Sequence, residues 1–266
     1  VEQSEGLPKR TARKVGWANQ LRSASTLTSS GLALIIALVL GAGVSANFDL
    51  KDGLRDLTII VAWVSVLLGV LRLMACFTPR RAAAALLPHT DLPRYTVILP
   101  LYGEAHMVQS LITSLSQLDY PVDRLDIIFA CEANDPDTVQ TAQALARPPF
   151  RVVVVPPTVP GGPPQTKPRA LNYALARSDA PFVTIFDAED RPHPRQLRQA
   201  ASAFAAHPDW DALQAPLNYF NTRDSFLAAQ FGLEYAGLFQ VLLPFYDALD
   251  LPFPLGGTSN HMRGLM

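Results

Sequence analysis

The chain has 266 residues, enough to bury a core of ordinary size in one or two domains. Its formal net charge of −1 argues against a broad basic surface for nucleic acid, and its two cysteines, Cys76 and Cys131, lie far apart and form no metal-spaced pair, so neither a disulfide framework nor a zinc site is supported. Charged residues make up only 17%, below the roughly 25% of soluble domains, and the mean hydropathy is +0.15, so part of the chain is expected to lie in lipid.

Residues 1–26 read as a basic tail, with Lys9, Arg10, Arg13, Lys14 and Arg22. Residues 27–48 carry no formal charge and match the about 20 apolar residues that a spanning helix needs. A second predicted span runs over 57–77. Arg72 falls near its end, where a long side chain can snorkel to the interface. The connector between them is short, so 27–77 reads as a two-helix transmembrane hairpin. Arg72 lies at its end and Arg80, Arg81 and Arg94 follow it, while the connector holds Lys51 and Arg55 beside Asp49, Asp52 and Asp56. The excess of basic residues on both flanks places both ends in the cytoplasm. A cleaved signal would be one short apolar core and a small-residue cleavage site, which two runs do not match; buried helices of a soluble protein are the competing reading.

After a linker at 78–92 the pattern changes. Strands are predicted at 95–99, 125–131, 152–155 and 182–186. Helices are predicted at 104–118, from Asp135-Pro136 to about Ala146, and at 168–177 and 194–206. In the first helix Val108, Leu111, Ile112, Leu115 and Leu118 share one face, and Asp135-Pro136 reads as an N-cap with proline at the first position. Alternating strands and helices imply an α/β domain over 93–266 with a mostly parallel sheet. In such a sheet ligands bind outside the carboxyl ends of the strands. That rule selects 100–104, 131–135, 156–167 and 187–190.

Three clusters there or downstream carry chemistry. Asp187-Ala188-Glu189-Asp190 crowds three carboxylates into one turn, which suits a hard cation such as Mg²⁺ or Mn²⁺ bridging to a diphosphate. A solvated acidic turn, with Asp187 capping the next helix, is the alternative. Lys167 stands at a helix start, where the macrodipole favours an acid, so a nearby phosphate would account for it; a surface lysine is the plainer reading. Gly256-Gly257-Thr258-Ser259-Asn260-His261 combines backbone freedom with many polar groups, which suits a sugar, or equally a plain turn. The apolar, aromatic stretch 222–249 reads either as a helix covering the sheet or as one lying in a membrane interface.

In this order, the pieces resemble the family-2 glycosyltransferases with a GT-A fold, in particular membrane-bound, processive-synthase-like members. The matching runs are Val97-Ile98-Leu99-Pro100-Leu101-Tyr102-Gly103-Glu104, Glu132-Ala133-Asn134-Asp135, Lys167-Pro168-Arg169-Ala170-Leu171-Asn172-Tyr173-Ala174-Leu175, Asp187-Ala188-Glu189-Asp190-Arg191-Pro192 and Leu255-Gly256-Gly257-Thr258-Ser259-Asn260-His261-Met262-Arg263. The resemblance implies a Rossmann-like sheet with helices on both faces. It puts Pro100, Leu101, Tyr102 and Glu104 around the nucleoside, Glu132 near the base, and Lys167 on the diphosphate. Asp187 and Glu189 would hold the metal, with Asp190 competing for the second position, and Gly256, Gly257, Thr258, Ser259 and His261 would border the acceptor. It further implies inverting transfer from a nucleotide-diphosphate donor of the UDP-hexose type to a polysaccharide or lipid acceptor, by an integral protein of a bacterial inner membrane. The family's base sits in a Thr-Glu-Asp motif beyond the residue where this sequence stops, Met266. The sequence therefore reads as part of a longer protein, inactive on its own. A membrane protein with a nucleotide-binding sensor domain is the competing function. A nucleotidyltransferase would want a glycine-rich basic loop after the first strand, and Pro100-Leu101-Tyr102-Gly103-Glu104 is not one.

Overall fold

The computed structural model describes residues 50–79, 82–157 and 165–264. They fall into two compact units divided between Leu71 and Arg72. The predicted tail at 1–26 and first span at 27–48 lie outside the described residues, so a hairpin is not shown.

Helix α1 spans Leu50–Ala75. It starts earlier than predicted, because the polar residues read as a connector are its first two turns. Asp52 favours the positive end of the helix dipole, and Arg55 pairs with it at 3.3 Å, so these residues extend the helix rather than end it. Thr58 and Ser65 donate their hydroxyls to the carbonyls of Leu54 and Val61, both at 2.8 Å, so the polar side chains within the apolar stretch carry their own acceptors. The segment Lys51–Ala75, with mean hydropathy 2.3 and none of its apolar window buried, is long and apolar enough to cross a membrane.

The second unit is built on six strands: β1 (Tyr95–Leu101), β2 (Leu125–Glu132), β3 (Phe150–Val155), β4 (Phe182–Ile185), β5 (Ala212–Gln214) and β6 (Asn260–Arg263). Their order is β3-β2-β1-β4-β6-β5. The first four are parallel, as the alternation predicts; β6 runs antiparallel between β4 and β5. The sheet is therefore mostly parallel but mixed. β5 and β6 are not predicted from sequence, because three- and four-residue strands such as Asn-His-Met-Arg have neither alternation nor β-branched residues to mark them.

Helices α2 (Val108–Leu115), α3 (Pro136–Leu145) and α5 (Gln196–Ala206) contribute buried side chains to the core on one face of the sheet; α4 (Lys167–Leu175) packs Ala170 and Ala174 on the other. The first face holds Tyr95, Val97, Leu99 and Leu101 of β1 against Val108, Leu111 and Leu115, and the second holds Ile98, Ile128 and Val153. The chain at 82–92 does more than link. Leu92 is buried, Leu87 donates its N–H to Ser202 at 2.9 Å, and Arg198 holds the Leu87 carbonyl at 2.9 Å and Asp119 at 2.9 Å.

The stretch read at 222–249 is one interrupted helix: α6 (Phe226–Gly237), a π-helical turn (Leu238–Leu242) and α7 (Leu243–Ala248). Phe239, Leu243 and Phe245 are buried, which fits a covering helix, while Phe226, Leu227 and Leu233 are exposed.

Candidate functional site

The register sets the carboxyl ends of the strands side by side: Leu101 lies opposite Cys131, Glu132 opposite Val155, and Ile98 opposite Ile185. Because β6 is antiparallel to β4, with Asn260 opposite Ile185, the 256–259 loop enters the sheet at this same edge.

A cleft of about 500 Å³ opens there. Small-molecule pockets occupy roughly 300–1,000 Å³, so it has the size for a nucleotide-sized ligand. Eight residues read from the sequence line it: Pro100, Leu101, Tyr102, Glu104, Glu132, Lys167, Asp187 and Glu189. Asn134, Gln165 and Thr166 line it too and are missing from the sequence-derived set, although the strand-end rule covers the segments that hold them.

Each wall has a local cause. Gly103 adopts φ +70°, a left-handed conformation suited to glycine, and the chain turns there out of β1. Asp135 fixes this turn from the next strand end: one oxygen accepts the Gly103 N–H at 2.6 Å, while the other caps α3 by accepting the Thr138 N–H at 3.3 Å. Desolvation works against the Asp135 charge, but these hydrogen bonds prevail and hold its carboxyl below the usual range. The Thr138 hydroxyl accepts the Glu104 N–H at 3.1 Å.

Glu132 is nearly buried and accepts from the Gln165 amide at 2.8 Å; Arg169 stands 3.7 Å away. Gln165 also donates to Asn134 at 2.7 Å. Lys167, in the first turn of α4, pairs with Asp187, the residue two beyond the end of β4. The sequence puts these two residues one crossover apart, and the fold brings them together.

The acidic turn sorts its three carboxylates. Asp187 and Glu189 line the cleft, whereas Asp190 turns back and accepts the Asp187 N–H at 2.7 Å and the Thr258 hydroxyl. Glu104 faces the same charges: burial first, then Glu189 and Asp187, push its carboxyl above the ordinary value, and its Oε2 is buried without a hydrogen-bond partner. Among the described residues no three His, Cys, Asp or Glu side chains close on one point. The donor set still fits Mg²⁺ or Mn²⁺, because such ions are held by one or two carboxylates while substrate phosphates and water complete the shell.

The 256–261 residues do not line the cleft. Thr258 reaches it only through Asp190, Gly256 and Gly257 lie outside it, and Ser259 is buried. His261, read as bordering an acceptor, is instead buried in β6 on the core side. Its Nδ1 pairs with Tyr95 Oη at 2.7 Å and its Nε2 with the Gln196 amide at 3.2 Å. Burial lowers its pKa to about 4, so the ring is neutral and serves the core.

The model of the family described as "Glycosyltransferase like family 2" matches residues 93–244, more than half of the chain. The poly(ribitol-phosphate) β-N-acetylglucosaminyltransferase TarS of Staphylococcus aureus is 26% identical over 114 residues, which cover 43% of this chain and 19% of TarS. Part of TarS solved with UDP-GlcNAc superposes with a TM-score of 0.41 at 26% identity, covering 49% of this chain and 36% of that one. The mannosyltransferase PcManGT of Pyrobaculum calidifontis, solved with GDP-Man and Mn²⁺, gives a TM-score of 0.46 at 24% identity over 64% of this chain and 49% of its own. The chain thus spans about a fifth of the length of TarS. With the family model covering strands β1 to β5, the residues that line the cleft and the acidic turn, the chain belongs to the glycosyltransferase-like family 2.

Proposed function

We propose that the protein transfers a hexose from a nucleoside-diphosphate donor, of the UDP-hexose class, to a polysaccharide or lipid acceptor. The observation that carries the reading is the Lys167–Asp187 pair in a cleft that also holds Glu132 and the Pro100 to Glu104 wall. The relative TarS is by name a β-N-acetylglucosaminyltransferase and was solved with UDP-GlcNAc, and the UDP class is carried over from it.

In this reading the nucleoside lies between Leu101, Tyr102 and Glu132, and Gln165 and Arg169 hold the Glu132 carboxylate. Lys167 faces the diphosphate and stabilises the negative charge that grows on it as the anomeric C–O bond breaks. The acceptor hydroxyl gives up its proton to a general base and attacks from the opposite face, which inverts the anomeric centre. A bound Mg²⁺ or Mn²⁺ would be held by Asp187 and Glu189 and would supply Lewis-acid stabilisation of the leaving group. Glu189 takes the second position because Asp190 is already engaged by Asp187 and Thr258. The protein sits in a membrane through α1, with the cleft on the cytoplasmic side, as the basic flanks suggest. Nothing among the described residues supports the expectation that the chain is inactive.

The test is a panel of nucleoside diphosphates and their hexoses titrated against the detergent-solubilised protein, with Mn²⁺ and with chelator. The reading expects UDP and UDP-hexoses to bind in a metal-dependent way and GDP to bind more weakly. Binding of a bare nucleotide without any influence of sugar or metal would contradict it and favour a sensor domain.

A further inference from the structure

The third carboxylate of the acidic turn has a use that the proposed donor site does not include. Asp190 does not cap the following helix, since α5 begins at Gln196 with Arg195 at its N-cap. Its side chain points back toward β4 and β6. There Oδ2 accepts the Asp187 N–H at 2.7 Å and the Thr258 hydroxyl, which comes from a loop 68 residues further along the chain. The backbone closes the same turn from the other side, with the Asp190 N–H on the Asp187 carbonyl at 3.1 Å. Held at both ends, the turn leaves Asp187 and Glu189 as the carboxylates that line the cleft.

The loop that supplies Thr258 is fixed with equal care. Gln214 accepts the Gly256 N–H at 2.6 Å and donates to the Thr258 carbonyl at 3.2 Å. The Asn260 amide holds the Gly256 carbonyl, and the Ser259 N–H holds the Ile185 carbonyl at 2.8 Å. Gly256 packs so closely that a Cβ there would meet Gln214 Oε1 at 3.2 Å and Leu217 Cδ1 at 3.1 Å. Ser259 is buried at φ +56°, a conformation that a non-glycine residue keeps only where its surroundings enforce it. A segment pinned this tightly offers its hydroxyl at one place, against the Asp190 carboxylate with the Ile185 carbonyl beside it at 3.2 Å.

We propose that Asp190 and Thr258 are positioning residues: their hydrogen bond ties the cation-holding turn to the 256–259 loop and sets the aim of Asp187 and Glu189. The inference rests on the donor reading above and adds to it that a residue outside the cleft, Thr258, governs how well the cleft holds a metal-bound diphosphate. Because the tie is shared, ligand binding on the turn and the conformation of the loop are linked in both directions.

The experiment titrates UDP against the full chain, once with Mn²⁺ and once with EDTA, for the wild type, Thr258→Val, Thr258→Ser, Asp190→Asn and the Val/Asn double variant. Thr258→Val keeps the shape and removes the hydroxyl. It should weaken UDP binding about tenfold in Mn²⁺ while the weaker binding in EDTA stays the same. Thr258→Ser should return affinity to within about twofold of the wild type, and the double variant should be no worse than the more affected single variant. Equal weakening in Mn²⁺ and in EDTA by a variant that keeps its fold would overturn the positioning role. Wild-type binding together with unchanged affinity in Thr258→Val and Asp190→Asn would overturn the inference and leave the donor reading intact. A wild type that does not bind UDP in either condition would overturn both. Asp190→Asn, isosteric with the native residue, keeps the inference falsifiable should Thr258→Val fail to fold.

Discussion

Asp187 joins two parts of the cleft, since its carboxylate pairs with Lys167 while its N–H is held by Asp190. Charge-assisted hydrogen bonds contribute roughly twice what neutral ones do. Lys167→Ala and Asp187→Asn are each expected to weaken UDP-hexose binding by about 10- to 100-fold, read by calorimetry, with Asp187→Asn also removing the metal dependence. His261 gives a different prediction, on stability. Its pKa falls from 6.5 to about 4 on folding because of burial. Above pH 6.5 both folded and unfolded states are neutral at this site. Below it the unfolded chain takes up a proton that the folded one refuses, so stability falls between pH 6.5 and about 4 and levels off below. The loss attributable to this residue is roughly 3 kcal/mol, and His261→Gln should flatten that part of a denaturation profile measured against pH. At this scale the sequence shows the cleft residues well, because a strand followed at once by Asp187, Glu132 or Pro100 marks a sheet's carboxyl edge. It does not show the burial of His261, since a dense polar run looks solvated until pairing with β4, a long-range event, buries it.

Elements carry the site through the caps and turns between them. Asp135 serves both β1 and α3 by holding Gly103 and Thr138 at once. Asp135→Ala should therefore cost about 1–2 kcal/mol of stability from the lost cap and also loosen the nucleoside wall. Gly103→Ala meets nothing within 4 Å, yet its φ of +70° strains any other residue, so a cost of about 1 kcal/mol is expected without a clash. A denaturant titration paired with UDP binding measures both variants. The helices with one apolar face were legible, as with Val108, Leu111 and Leu115, because burial on one side leaves a 3.6-residue period. β5 and β6 were not, since strands this short are specified by their neighbours in the sheet. The helical course of 51–56 was hidden for another reason: Asp52, Arg55 and Asp56 are charged, but charged residues extend a helix when they suit its dipole and pair along it.

Over the whole molecule, the four parallel strands gather segments from 100–104, 132–135, 165–167 and 187–189 into one cleft, and the antiparallel β6 brings Thr258 to the back of it. The parallel part follows from alternating strands and helices; the reversal at β6 does not, because nothing in the stretch after α7 announces a strand that inserts between β4 and β5. The apolar character of α1 adds a prediction for the intact protein: it should stay with membranes through an alkaline carbonate wash and be released by detergent. The central claim, that the cleft holds a nucleotide sugar through Lys167 and the acidic turn, is tested most directly by calorimetric titration of UDP-hexose into wild type and Asp187→Asn, with Mn²⁺ and with EDTA. The account predicts wild-type binding that EDTA abolishes or weakens at least about tenfold, and an Asp187→Asn variant that binds weakly in both conditions. Equal binding by both proteins, indifferent to the metal, would contradict it.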